Sequence, residues 1–375
     1  MSRLVVRAKG ERSGAPARPP QTESTALEPA DLSRNCPTEA QLALLRIITC
    51  QSDDGVESQW QACSSWIQVD DPPPEQIRFL PALSARLASA NIDDPKALRL
   101  RGLARHAQVS SLLQRRVLSD VARLFFRHDI PMMALKGSAT SLLCPAGPPK
   151  PMADVDGLVP FEKAGQALSL LKKAGWVPDG NLEAQARRSL AFGHGWGFRR
   201  GDAQFDLHWH AAHQDPTSRF DELLRSGSRR IELEGVPLSL PSATGLLLQV
   251  CVHGVRWNYG GISSWPLDVV RILGNPELTI DWEALFAVCV ERRLIIQVRS
   301  ALGSLQGVLA NAEVDRLVAR LSNERVTPVE VLEHRGITGH HRATLSVERA
   351  ARSFMLRKRR ETQGKVALTL SWRRR

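Results

Sequence analysis

Two aspartates alternate with apolar residues in the segment KPMADVDGLV, which spans residues 150–159. The alternation and the short length are typical of a β-strand. Side chains two positions apart on a strand point to the same face, so the carboxylates of Asp154 and Asp156 are expected to converge. Carboxylates this close repel each other, and a divalent cation such as Mg²⁺ or Mn²⁺ relieves the repulsion. Taken alone, the pattern also fits an exposed strand end with two solvated acids.

A third acidic residue lies in a similar pattern, FDLHWH, at residues 205–210. Its alternation predicts a strand over 203–209 and places Asp206 on the same sheet face as His208 and His210. An Asp/His/His zinc site is one alternative for this face. The preferred interpretation is that His208 holds Asp206 or contacts a phosphate group.

A strand followed by a tight turn precedes both acidic segments. Residues 131–135 (PMMAL) form a short apolar run, and the turn Lys136-Gly137-Ser138 leads into a predicted helix that ends at Leu143. The start of a helix presents backbone N–H groups that bind phosphate. Strands carrying three acids, together with such a helix start, are the parts that two-metal nucleotidyl transfer requires.

The rest of the chain is predicted to be mostly helical, which gives an α+β fold. A small mixed sheet should hold 131–135, 153–159 and 203–209 side by side, with helices on its flanks. A further strand at about 189–199 should join 203–209 through a hairpin turn. The predicted segments are a disordered leader (1–37), a helical cover (38–128), a nucleotidyltransferase-like catalytic core (129–235), a helical domain (236–325) and a basic tail (326–375).

Composition and charge narrow the class of protein. The chain has 375 residues, of which 43% are hydrophobic, and it contains no apolar run of about 20 residues, so a soluble cytoplasmic protein without a membrane segment is expected. Its six cysteines are scattered, which favours reduced thiols over disulfides.

The net charge of +11 comes from the ends, since residues 1–20 carry +4 and residues 315–375 carry +9. Weak contact with nucleic acid through these tails is therefore an alternative role for the chain.

Several segments together resemble a known family. Ala134-Leu-Lys-Gly-Ser138 is similar to a leucine-lysine-glycine motif of the bacterial uncharacterised nucleotidyltransferases, in the polymerase-beta-like superfamily. The likeness extends over roughly residues 40–310. The other segments that carry it are 150–159, 205–209, LQVCVH at 248–253 and WPLD at 265–268.

The resemblance implies roles for the three acids. Asp154 and Asp156 would bind both metal ions, and Asp206 would bind the catalytic ion and help to deprotonate an acceptor hydroxyl. The implied reaction moves a nucleoside monophosphate from an NTP, ATP among the candidates, to a small molecule, peptide or macromolecule and releases pyrophosphate. A nucleic-acid-associated or non-catalytic nucleotide-binding protein with the same fold is the alternative.

The resemblance also implies a nucleotide-binding set. Gly137 and Ser138 would lie at the phosphate-binding helix start, and Lys136 or Lys150 would face the triphosphate. Two positions depart from the family pattern. Lys150 stands where arginine is usual, which keeps the charge but loses the planar fork. Gly157 stands where leucine is usual, which predicts a less well packed strand.

Overall fold

The protein is described by a computed structural model over most of its length. The predicted leader lies outside the described residues as far as residue 35, and so does the predicted basic tail after residue 338. None of the described helices has both the length and the apolar composition needed to cross a membrane. The described residues are 36–145, 147, 150–152, 154–212, 218–257 and 262–338.

Within the described residues, five helices precede the first strand. The first begins where its cap predicts, because the Thr38 hydroxyl accepts from the Gln41 N–H and the Gln41 side chain accepts from the Thr38 N–H, both at 3.2 Å. Asp94 caps the longest helix through a 2.7 Å bond from the Lys96 N–H. The helices are α1 (Glu39–Thr49), α2 (Asp53–Cys63), α3 (Pro74–Ile77), α4 (Leu80–Ser89) and α5 (Pro95–Phe126).

The side of α5 on which apolar residues recur at helical spacing is only partly buried. Val121 is buried, but Leu98, Val109, Leu112 and Leu113 are each more than half exposed. The helix packs on α4 and on the sheet, and most of its buried residues lie in its C-terminal third. Helical periodicity identifies a candidate apolar face, but it does not show how much of a long helix meets a partner.

A seven-stranded mixed sheet forms the centre of the fold, in the order β3-β4-β5-β2-β1-β7-β6. Strand β2 pairs antiparallel with β1 and parallel with β5, which confirms that the three predicted strands lie side by side. Strands β4 and β5 form the predicted hairpin, and Gly201 in its turn has φ +59°. The strands are β1 (Met133–Ala134), β2 (Val155–Leu158), β3 (Val177–Pro178), β4 (Gly195–Arg200), β5 (Ala203–His208), β6 (Arg229–Leu233) and β7 (Val236–Leu240).

Two features of the sheet differ from expectation. The hairpin of β6 and β7 was not predicted, and it carries the sheet past residue 235, where the predicted core ended. Its turn places Glu234 and Gly235 at positive φ (+51° and +77°), and only the glycine signals this in the sequence. Residues 189–192 belong to a helix rather than to β4, because Asn181 caps that helix and Gly193 ends it.

The remaining helices surround the sheet and complete the C-terminal half. A short 3₁₀ turn precedes the helix that follows β2. The helices are α6 (Lys136–Leu143), α7 (Ala164–Lys173), α8 (Leu182–Phe192), α9 (Ser218–Arg225), α10 (Ala243–Trp257), α11 (Trp265–Leu273), α12 (Trp282–Arg292), α13 (Ile295–Gly303), α14 (Gln306–Leu309), α15 (Ala312–Asn323) and α16 (Pro328–Thr338).

Gly157 does not loosen β2, contrary to the prediction. A Cβ at this position would lie 2.9 Å from both the Met132 Sδ and the Phe205 Cζ. The ring of Phe205 is fully buried and also contacts Phe125 of α5 at 6.3 Å between centroids. The space that a side chain at Gly157 would need is therefore filled by its neighbours, and the strand that carries Asp156 is close-packed.

Candidate active site

Parallel pairing of β2 and β5 brings two of the acids together. Asp156 and Asp206 are direct partners in the register, and their side chains lie on the same face of the sheet. One ligand atom each from Asp156, Asp206 and His208 lie within 4.8 Å of one another, so this group could hold a divalent metal. Asp154 lies one residue before β2 and borders the same cavity, but it stands outside this group.

Asp156 is the centre of a hydrogen-bonded cluster. The Lys136 Nζ donates to the Asp156 Oδ1 at 2.5 Å, and the His208 Nε2 lies 2.9 Å from the same oxygen. The Lys136 Nζ and the His208 Nε2 are 3.4 Å apart. His208 therefore holds Asp156 rather than Asp206, the partner predicted from the sequence. The contact runs diagonally between paired strands, and that pairing cannot be deduced from the strand containing His208.

The charges of the cluster are unevenly balanced. Burial opposes ionisation of Asp156, but Lys136 and His208 outweigh it and hold the pKa of Asp156 well below its usual range. Burial likewise opposes the ammonium form of Lys136, and the carboxylates, Asp156 foremost, still raise the pKa of Lys136. Burial and repulsion by Asp156 raise the pKa of Asp154 to about 6 and also raise the pKa of Asp206. Lys136 thus compensates one carboxylate, and a further cation would stabilise the other two.

The backbone of Lys136 is held in an uncommon conformation at the start of α6. Its φ of +47° lies in the left-handed region, which costs a non-glycine residue free energy. Its N–H donates to the Gln249 Oε1 at 3.2 Å, and the Gln249 Nε2 donates to the Ala211 carbonyl at 3.1 Å. Buried Gln249 of α10 therefore joins the start of α6 to the chain that follows β5, and it fixes the direction from which Lys136 reaches Asp156.

A cavity of about 490 Å³ lies over these side chains. Ser138, also predicted for the nucleotide site, faces a different cavity of about 300 Å³ beside α5. Successive residues on a helix are rotated by about 100°, so neighbours such as Gly137 and Ser138 do not face the same space. The predicted residues that line the larger cavity are Lys136, Gly137, Lys150, Asp154, Asp156, Asp206 and His208.

Lys150 is already paired within the cavity wall. Its ammonium group forms an ion pair with Asp268 of α11, and both side chains are less than 10% exposed. The second oxygen of Asp268 has no hydrogen-bond partner among the described residues. Asp268 was not predicted as a site residue, although its segment contributed to the family resemblance. A single acid in a helix gives no local signal of a buried partner 118 residues away.

Two tryptophans and one arginine of the cavity wall were also missed. Trp196 of β4 and Trp265 of α11 line the cavity, and the indole N–H of each is buried without a hydrogen-bond partner in the described part of the chain. Arg78, which follows α3, lines the cavity from the helical cover. Isolated aromatic and basic residues of this kind are common in cores and on surfaces, so the sequence did not distinguish them.

Glycines on β4 leave room for the side chains of β5. A Cβ on Gly195 would lie 2.7 Å from the Leu207 carbonyl oxygen and 2.9 Å from the His208 Nδ1. A Cβ on Gly197 would lie 3.2 Å from an Asp206 carboxylate oxygen. Because Gly195 and Gly197 have no side chains, one face of β4 leaves space beside the metal-binding group. This G-x-G spacing is visible in the sequence, but it was not predicted to belong to the site.

The alternative zinc site with His210 is not formed. The His210 Nδ1 lies 3.0 Å from the Asp221 Oδ2, and its ring stacks on Phe161 at 5.4 Å between centroids. Among the described residues, the group that could hold a metal consists of Asp156, Asp206 and His208, and it does not include His210.

Comparisons with known proteins identify a family for this chain. Residues 75–310 match the sequence model of a family described as uncharacterised nucleotidyltransferase. A search of curated proteins gave no match. The solution structure of the antibiotic-resistance factor ANT(2'')-Ia matches at 13% identity and a TM-score of 0.35, covering 62% of this chain and all of that one. A nucleotidyltransferase-like protein from Paracoccidioides brasiliensis matches at 17% identity and a TM-score of 0.33, covering 52% of this chain and 92% of that one.

Proposed function

Because the chain belongs to the uncharacterised nucleotidyltransferase family, we propose that it transfers a nucleoside monophosphate from an NTP to an acceptor hydroxyl. The acceptor oxygen would form a bond to the α-phosphorus, the bond from that phosphorus to the bridging oxygen would break, and pyrophosphate would leave. The observation that carries this proposal is the parallel register of Asp156 and Asp206 beneath a cavity of about 490 Å³. That volume is within the usual range for a small-molecule site.

The side chains present fit Mg²⁺ or Mn²⁺. Asp156, Asp206 and His208 offer two carboxylates and an imidazole at suitable spacing, and the raised pKa of Asp154 indicates a further carboxylate in need of a cation. Hard divalent ions prefer the carboxylate oxygens of this group. When bound, the ion would neutralise charge on the phosphates and on the attacking oxygen.

Each protein group would then have its own part in the transfer. Asp206 would accept the proton of the acceptor hydroxyl, since it lines the cavity directly beside Asp156. Lys136 would hold Asp156 in its ionised form and in one orientation. The backbone N–H groups at the start of α6, near Gly137, would receive phosphate oxygens. Positioning and charge neutralisation would supply most of the rate enhancement.

The experiment compares Asp206→Asn with a matched control, Asp202→Asn. Asp202 lies in the turn of the same hairpin, is exposed and does not line the cavity. Calorimetry measures affinity for each Mg²⁺–NTP complex, and α-phosphate-labelled NTPs incubated with cell lysate report transfer. We expect Asp206→Asn to keep the affinity within a few-fold and to lose about 100-fold or more of the transfer. Asp202→Asn should match wild type in both.

The outcomes separate the parts of the proposal. If Asp206→Asn transfers label as fast as wild type, Asp206 is not the base and the three-carboxylate mechanism fails. If wild type binds none of the four NTPs in the presence of either metal ion, the assignment of nucleotidyl transfer fails.

A further inference from the structure

The cavity of the proposed active site is lined by three lysine or arginine side chains in the described part of the chain. Lys136 donates to Asp156, and Lys150 forms its ion pair with Asp268. The guanidinium group of Arg78 has neither a hydrogen bond nor an ion pair with any described residue, although four carboxylates line the same cavity. Arg78 is therefore the cavity cation that remains available to a ligand.

The backbone presents Arg78 from a fixed position. Arg78 caps the C-terminus of α3, and the next two residues, Phe79 and Leu80, are fully buried. The Phe79 N–H donates to the Gln76 carbonyl at 2.8 Å, and the Gln76 side chain accepts from the Gln68 N–H at 3.2 Å. The backbone at Arg78 is thus ordered by its neighbours within the helical cover. Binding of a ligand by this side chain would therefore cost little backbone entropy.

Arg78 is half-buried as a residue, and a guanidinium group that loses hydration without gaining a counter-ion is destabilised. Its planar fork matches two oxygens of a phosphate group, and such charge-assisted pairs are stronger than neutral hydrogen bonds. We propose that Arg78 binds phosphate oxygens of the NTP from the helical-cover side of the cavity. The proposal rests on the proposed function, and it adds a phosphate contact from a segment outside the predicted catalytic core.

The test measures binding of a phosphate series to Arg78→Ala, Arg78→Lys and wild type. The series consists of the NTP that wild type binds most tightly, with the corresponding diphosphate, monophosphate and nucleoside, each with Mg²⁺ and each measured by competition. We expect Arg78→Ala to weaken NTP binding about tenfold or more, to weaken monophosphate binding less, and to leave the nucleoside unchanged. Arg78→Lys should recover part of the loss, since it keeps the charge but not the fork.

Arg46→Ala is the matched control. Arg46 also belongs to the helical cover, is exposed on α1 and does not line the cavity, so its removal changes the net charge equally. Thermal melts of all variants verify folding. Three results would overturn the proposal while leaving nucleotidyl transfer intact. The first is that Arg46→Ala weakens NTP binding as much as Arg78→Ala does. The others are that Arg78→Ala weakens binding equally along the whole phosphate series, or that it leaves NTP binding unchanged. A wild-type protein that binds no NTP overturns both.

Discussion

Asp154, Asp156 and Asp206 look alike in the sequence, but their surroundings give them different electrostatic states. Asp156 has Lys136 and His208 as partners, which hold its pKa low despite its burial. Burial and the charge of Asp156 raise the pKa of Asp154 and of Asp206. Substitution of the three acids by asparagine should therefore give different effects on stability, although each change removes the same group.

Asp154→Asn should stabilise the metal-free protein at neutral pH. The folded-state pKa of about 6 lies above the unfolded value of about 3.9, so the folded state binds the extra proton and wild type loses stability as pH rises through this window. The variant avoids that loss, which we put at about 1–2 kcal/mol after allowing for partial exposure. Thermal melts in a chelator should show a higher Tm for the variant at pH 7.5 and no difference near pH 4. Equal Tm values at pH 7.5 would show that Asp154 is ionised without penalty.

Asp156→Asn should destabilise the fold, because it leaves the ammonium group of Lys136 buried without its counter-ion. Lys136 is 15% exposed at its side chain, and loss of one partner from a buried pair costs about 3–5 kcal/mol. Urea unfolding should show this loss for the single variant and a smaller one for Lys136→Met combined with Asp156→Asn. A single variant as stable as wild type would mean that Lys136 finds another partner or turns to solvent.

At the scale of elements, local patterns were informative where a structure depends on neighbouring residues in the chain. The two-residue alternation around Asp154 and Asp206 and the Gly201 turn predicted the central strands and the hairpin. Contacts between distant segments were not predictable in this way. The Lys150–Asp268 ion pair and the β7 pairing with β1 depend on how α11 and a second hairpin return to the sheet. Tertiary packing decides where these segments contact the sheet, and a single sequence contains no periodic pattern that predicts such contacts.

The hairpin of β4 and β5 should tolerate no side chain at Gly195. An added methyl group would meet the Leu207 carbonyl oxygen at 2.7 Å, and a backbone atom cannot move aside as a flexible side chain can. We expect Gly195→Ala to cost about 1–3 kcal/mol of stability and to lower label transfer by displacing His208. Gly102→Ala on α5, where nothing lies within 4 Å, should be neutral or stabilising by up to about 1 kcal/mol. Identical melts for the two variants would contradict the close approach of β4 to β5.

At the scale of the whole molecule, the cavity collects residues from every predicted segment between the tails. Arg78 comes from the helical cover, the acids come from the core, and Trp265 and Asp268 come from the helical C-terminal half. The division into separate domains stays a prediction, but the site depends on all three segments. The basic charge is distributed differently, since the ends of the chain carry it and the intervening part is close to neutral. Nucleotide binding and any contact with nucleic acid should therefore be separable.

Removing residues 1–35 and 356–375 tests this separation. The cut at residue 35 keeps Cys36, whose Sγ lies 3.4 Å from the Ser300 Oγ, and the second cut removes eight basic residues and one acid. The shortened protein should melt like the full chain and bind Mg²⁺–NTP within about twofold of it, because every described residue that lines the cavity is retained. If the tails contact nucleic acid, the full chain should bind bulk DNA with an affinity that falls steeply with salt, because lysine and arginine displace counterions from phosphates, and truncation should abolish that binding. A truncated protein that folds but no longer binds NTP would place part of a tail in the active site. Salt-dependent DNA binding that survives truncation would place a nucleic-acid surface on the near-neutral body instead.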